Sequence, residues 1–136
     1  ETTWLKYKYP QVSRDIIPFE MFINWDAPIV LCEGAFDMIS IKRNAIPLLG
    51  KFITPNLMKK LIKSKVKKLY IALDPDALKM ALKHCETFIS YGKQVYLVDM
   101  KGFKDPGEMG FETFTRNIHN AERLTLTKIM QLKLSL

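Results

Sequence analysis

The alternation of short apolar runs with longer stretches of helical period constrains this chain more than any other feature. Ile29–Cys32, Ala45–Leu49, Leu69–Leu73 and Val95–Val98 are continuous apolar runs of strand length, the pattern of strands covered on both faces. The segments between them keep helical spacing. Ala35 to Asn44 reads as a helix with Phe36, Ile39 and Met38 as its inward candidates. Gly50 closes the second run, and Pro55 and Asn56 open a second helix whose apolar stripe is Leu57, Met58, Leu61 and Ile62. A third helix carries Leu78, Ala81, Leu82, Cys85, Phe88 and Ile89 and ends at Gly92 as its C-terminal glycine. After the fourth run a loop spans Asp99 to Gly110. Phe111 to Asn120 then reads as a helix with Phe111, Phe114 and Ile118 on one side.

Strands alternating with helices predict βαβ units, a parallel sheet and right-handed crossovers. The expected fold is therefore α/β, with about four parallel strands flanked by helices over residues 28–120. Pro47 assigns the second strand to an edge, because proline cannot donate to a ladder. Residues 1–27 carry Trp4, Tyr7, Tyr9, Phe19, Phe22 and Trp25, too aromatic for a disordered tail, and are expected to pack on the core as an arm. Residues 121–136 are leucine-rich and read as a C-terminal helix or tail.

A length of 136 residues suffices for one domain with a real core. No apolar run approaches the roughly 20 residues of a membrane span, so no membrane partner is expected. The start, Glu1-Thr2-Thr3-Trp4, has neither the basic stretch nor the apolar core of a signal peptide. It also has no initiator Met, and the chain is read as an excised piece of a longer protein. Cys32 and Cys85 are too few for an all-cysteine zinc site and sit within apolar patterns. They read as buried small hydrophobes, in keeping with a reducing cytoplasm.

Acidic residues stand at or just past the ends of three of the strand runs. Glu33-Gly34 follows the first, and Asp37 lies one helical turn on. A glutamate there is costly unless paired, protonated or metal-bound. Asp74-Pro75-Asp76 follows the third run. A turn could bring both carboxylates toward one cation, or the segment could be a turn in which Asp76 caps the next helix. Asp105, in Lys104-Asp105-Pro106-Gly107, lies in the loop after the fourth run, with Lys101 near it. That mixture suits a second metal, a phosphate or a plain turn. If the first and third strands are neighbours, Glu33, Asp74 and Asp76 converge at a topological switch point, where open α/β sheets bind ligands. Carboxylates gathered there fit Mg²⁺ or a similar hard cation, which can position phosphate oxygens for in-line transfer.

The net charge is +7, and its source is local. Lys51, Lys59, Lys60, Lys63, Lys65, Lys67 and Lys68 occur with no acid between residues 50 and 73, and the remainder of the chain balances. The cluster is either a contact for a polyanion or a solvated helix face.

The order Glu33-Gly34-x-x-Asp37, then Asp74-x-Asp76, then Asp105-Pro106 resembles a TOPRIM domain over residues 28–118. The segment Glu33-Gly34-Ala35-Phe36-Asp37-Met38-Ile39, with Leu48-Leu49-Gly50, is most similar to DnaG-type bacterial and phage primases. The resemblance implies a nucleotidyltransferase that makes RNA primers on single-stranded DNA from NTPs with Mg²⁺ or Mn²⁺. It implies Glu33, Asp74 and Asp76 as catalytic and metal-binding residues, Asp105 as a further metal ligand and Asp37 as a supporting acid. Nucleic-acid contacts would come from Lys51, Lys59, Lys60, Lys63, Lys101 and Lys104. A replicative helicase is a further implied partner, and the setting would be the cytoplasm of a bacterium or a phage-infected host. The zinc-binding module and basic subdomain of full primases have no counterpart in this sequence. Two positions depart from the pattern: no glycine follows the aspartate pair in Ala77-Leu78-Lys79-Met80, and Gly107 stands where a further acid is usual. The alternatives are a TOPRIM nuclease or topoisomerase fragment that breaks phosphodiesters, and a non-catalytic nucleic-acid-binding module.

Overall fold

The computed structural model describes residues 16–34, 44–48, 53–100 and 109–136. The described strands are β1 (Ile29–Cys32), β2 (Ala45–Pro47), β3 (Lys68–Ile71), β4 (Gln94–Leu97) and β5 (Glu122–Arg123). The described helices are α1 (Pro55–Lys63), α2 (Pro75–Ser90), α3 (Phe111–His119) and α4 (Leu126–Ser135), and a 3₁₀ turn covers Glu20–Phe22. Of the expected first helix, Ala35 to Asn44, residues 35–43 lie outside the described residues, as do Leu49 and Gly50.

The sheet order is β2-β1-β3-β4-β5. β1 pairs in parallel with both β2 and β3, and β3 pairs in parallel with β4. The four apolar runs are thus the parallel strands, and the proline-bearing β2 is an edge. The short fifth strand is antiparallel to β4 and was not expected. It is exposed and has no apolar signature, so only backbone pairing with β4 reveals it.

Strand alternation divides the core between the two faces. Ile29, Leu31, Leu69 and Ile71 face one way, into a cluster with Leu57 and Leu61 of α1, Leu78, Leu82, Cys85 and Phe88 of α2, and Ile129 of α4. Val30, Cys32 and Ala72 face the other way, toward Val98, Met109 and Phe114 of α3. The two cysteines are therefore buried on opposite faces. Burial, with the Glu86 charge as the smaller cause, pushes the Cys85 thiol up to about 12.

Two helix ends show how local sequence fixes element boundaries. α2 ends in a Schellman arrangement: Gly92 has φ +84°, its N–H donates to Ile89 O at 2.9 Å, and Lys93 N–H donates to Phe88 O at 3.0 Å. α4 is capped by Thr125, whose hydroxyl accepts from Lys128 N at 3.1 Å, and it docks on α2 with Lys133 Nζ 2.6 Å from Glu86 Oε1. The C-terminal segment is thus a helix.

The periodicity of α3 is rotated from the expected one. Phe114 is buried, but Phe111 is exposed. Asn117 takes an inward position instead, and its amide donates to Asp99 O at 2.8 Å and contacts Met109 Sδ at 3.4 Å. Lys93 is the other buried polar residue among the described residues, its ammonium donating to Ser64 O at 2.8 Å and Val66 O at 2.6 Å.

Of the expected aromatic arm, the described part runs from Ile16. Ile23 is buried and Trp25 packs against the larger core cluster, whereas Phe19 and Phe22 are exposed. Asn44, just before β2, pins this segment. Its Oδ1 accepts from Asn24 N at 2.9 Å, and its amide donates to Asn24 O at 2.6 Å and Pro28 O at 3.1 Å.

Candidate metal-binding site at the carboxyl edge

β1 and β3 are hydrogen-bonded neighbours, and the chain leaves β1 toward β2 on one side while β3 and β4 extend the sheet on the other. The gap past their carboxyl ends is therefore the topological switch point of the sheet. The ladder continues slightly beyond the strands, with Ala72 N–H donating to Leu31 O and Val98 N–H donating to Ile71 O. Glu33 and Asp74 emerge beside each other from this platform.

Their juxtaposition is direct. The backbone N–H of Asp74 donates to Glu33 Oε1 at 2.9 Å, joining positions 41 residues apart in sequence. Both residues are half-buried. The Asp74 carboxylate also caps α2, its Oδ1 accepting from Ala77 N at 2.9 Å.

The cap assignment corrects the sequence reading, which placed Asp76 there. Pro75 occupies the first helical position, where its fixed φ suits the helix and its missing N–H costs nothing. That sets the cap one residue earlier, at Asp74. Asp76 lies within the first turn and is exposed, and its charge complements the helix dipole.

The donor set consists of carboxylate oxygens, the ligand type hard divalent cations require. Capping and the Asp74 N–H fix one oxygen of each carboxylate, which limits the rotamers available to both side chains. Among the described residues, no group of three or more His, Cys, Asp or Glu side chains is close enough to hold a metal ion. The described site is the Glu33–Asp74 pair with Asp76 on the adjoining turn. Asp37 and Asp105, expected as supporting acid and metal ligand, lie outside the described residues, as do Lys51, Lys101 and Lys104.

Lys59, Lys60 and Lys63 lie on the exposed side of α1, opposite buried Leu57 and Leu61. α1 leads toward the amino end of β3, so its last turn approaches the sheet edge opposite to Glu33 and Asp74. The acids and these lysines do not form one continuous site among the described residues.

Residues 30–109 match the family described as Toprim-like. The crystal structure of the Aquifex aeolicus primase, comprising its zinc-binding and RNA polymerase domains, is similar with a TM-score of 0.58 at 30% sequence identity. That match covers 77% of this chain and 28% of the Aquifex chain, so the present chain corresponds to under a third of that primase structure. No curated protein matches.

Proposed function

Because this chain belongs to the Toprim-like family, we propose that it is the metal-binding catalytic domain of a DnaG-type primase, acting in nucleotidyl transfer during RNA primer synthesis on single-stranded DNA. The observation that carries this reading is the hydrogen bond from Asp74 N–H to Glu33 Oε1. It joins the acidic ends of β1 and β3 at the sheet position where a phosphate-bearing ligand is expected.

TOPRIM domains generally bind divalent metal ions, and the carboxylate chemistry of Glu33 and Asp74 fits one. Glu33, Asp74 and Asp76 would hold Mg²⁺ or Mn²⁺, with Asp105 as a further ligand and Asp37 in support. The ion would supply positive charge against the phosphate oxygens as a 3′ hydroxyl, losing its proton, attacks the α-phosphate of an NTP and the bond to the bridging oxygen breaks to release pyrophosphate. The chain's own contribution is to hold those acids in place. β1 and β3 fix their separation, Pro75 fixes the start of α2, and the cap fixes Asp74. The substrates would be NTPs on a single-stranded template. The remaining primase domains, and a replicative helicase, would be partners outside this chain.

Calorimetric titration with Mn²⁺ tests the reading. The wild-type chain should bind Mn²⁺, while Glu33→Gln and Asp74→Asn should each weaken binding at least tenfold without loss of fold by circular dichroism. Equal Mn²⁺ binding by all three proteins would refute the metal site. Cleavage of labelled DNA or RNA by the chain in Mn²⁺, joined to the other primase domains or alone, would replace primer synthesis with a nuclease function.

A further inference from the structure

A groove of about 740 Å³ lies between α1 and the segment that precedes β1. Ile16, Ile17 and Trp25 come from that segment, and Lys59, Lys63 and Lys65 come from α1 and the turn after it. Neither Glu33 nor Asp74 lines it.

We propose that this groove docks an acidic amphipathic helix of a partner protein, its apolar stripe laid on the isoleucines and its carboxylates facing the lysines. The first observation is exposed apolar surface. Ile16 is 53% exposed at the groove wall, and the same short segment leaves Phe19, Met21 at 86% and Phe22 at 71% open to solvent. Ile17 and Trp25 pack beneath it on the larger core cluster. Apolar surface concentrated on one segment and rimmed by charge marks a protein contact.

The second is patterned charge. Asn56, Lys59, Lys60 and Lys63 line the groove at i, i+3, i+4, i+7 spacing, so one face of α1 forms its wall. Four lysines stand there with two acids, Glu20 and Asp26. Lys60 Nζ lies 3.7 Å from Glu20 Oε2, which sets Lys59, Lys63 and Lys65 against Asp26 and leaves the wall net positive. That potential complements an acidic partner. None of the described lining residues belongs to a strand, so the groove offers no sheet edge for an extended peptide to pair with. A helix satisfies its own backbone and recognises such a groove through side chains.

The same lining disfavours a nucleic-acid strand. Trp25 is the one aromatic residue among the described lining residues. It packs on the core, and Lys60 Nζ sits 5.2 Å from its ring centroid, so the face that would stack a base is already engaged. Glu20 and Asp26 would also stand beside a backbone charged at every nucleotide. A peptide can place its charges to avoid them.

The third observation is preorganisation. Phe19 holds φ +58°, a left-handed conformation that bulky residues rarely adopt, and its carbonyl accepts from Phe22 N at 2.9 Å. Asn44 clamps Asn24 through two hydrogen bonds, and Asn24 Oδ1 accepts from Asp26 N at 3.0 Å. The wall that carries Ile16 and Trp25 is set before a partner arrives, so docking orders little further chain.

The test is fluorescence anisotropy of a labelled acidic peptide of about four helical turns, with leucines at i, i+3, i+4 and i+7 and glutamates between them, titrated with the full chain. A control peptide has the same composition with its leucines spread around the helix. Wild type should bind the amphipathic peptide about tenfold more tightly than the control. Ile16→Ser should weaken binding about threefold and Lys59→Glu/Lys63→Glu about tenfold. That double variant should instead prefer a version of the peptide with lysine in place of glutamate. In a Trp4→Phe background Trp25 is the sole tryptophan, and its emission should shift on binding. Equal binding of the two peptides would overturn the proposal, as would unchanged affinity in both variants. Displacement of the labelled peptide by a single-stranded oligonucleotide at lower concentration than by unlabelled peptide would also overturn it, and would make nucleic acid the occupant. Circular dichroism checks the fold of each variant. Ile16→Ser should keep wild-type Mn²⁺ calorimetry, so failure here and failure of the metal-site reading are separately visible.

Discussion

Glu33 accepts a hydrogen bond from the backbone of Asp74, so one side chain ties the end of β1 to the start of α2. Its charge and its role as an acceptor can be separated by substitution. Glu33→Gln keeps a side-chain oxygen for the Asp74 N–H and removes the negative charge. Glu33→Ala removes both and leaves a half-buried donor without this partner. Urea unfolding should find Glu33→Gln within about 0.5 kcal/mol of wild type and Glu33→Ala destabilised by about 1–3 kcal/mol. Both should lose Mn²⁺ affinity. A stable Glu33→Ala would show that the hydrogen bond contributes little to the fold.

Asp74 has two assignments, helix cap and metal ligand, which also come apart. Asparagine caps a helix about as well as aspartate, whereas alanine does not. Asp74→Asn should therefore retain stability and lose divalent-ion binding. Asp74→Ala should lose both, with a stability cost of about 1 kcal/mol. Equal urea midpoints for the two variants would mean that the Oδ1 contact with Ala77 N does not support α2 in solution.

The four parallel strands and the described helices were legible because each is a local pattern of apolar residues. The adjacency of β1 and β3 was not, since strand order is decided by how crossovers pack and leaves no local mark. It entered only as a condition on which convergence of the acids depended. The cap at Asp74 was legible in principle, because proline at the first helical position points to the residue before it. Asn44, Lys93 and Asn117 were illegible for a different reason. Each is a polar residue buried or half-buried by partners distant in sequence, and nothing in its neighbours distinguishes it from a surface residue. β5 is two charged, exposed residues and carries no strand signature at all.

Lys93 is one such hidden polar residue with a measurable role. Its ammonium donates to the carbonyls of Ser64 and Val66, which belong to the connection between α1 and β3. Burial lowers its pKa from the ordinary lysine value, while the two carbonyl contacts favour the charged form. Lys93→Met keeps much of the apolar stem and leaves both carbonyls without the ammonium. The expected cost is about 1–3 kcal/mol in urea unfolding, with hydrogen exchange accelerated at the α1–β3 connection. A variant as stable as wild type would show that water replaces the ammonium at no cost.

The pH dependence of stability should carry a contribution from His84 on α2. Burial, with the neighbouring Lys83 charge as the smaller cause, holds its imidazole below the ordinary value of 6.5. As pH falls through 6.5, the unfolded chain takes up a proton before the folded one. Between 6.5 and the depressed folded value, the unfolded state thus binds more protons, and stability decreases as pH decreases. Below both values both states are protonated, and this contribution stops changing. His84→Gln removes the difference, so its unfolding free energy should decline less over that window than that of wild type. Parallel curves for the two proteins through a series of urea titrations on either side of 6.5 would show that the imidazole titrates alike folded and unfolded, and that the slope comes from other groups.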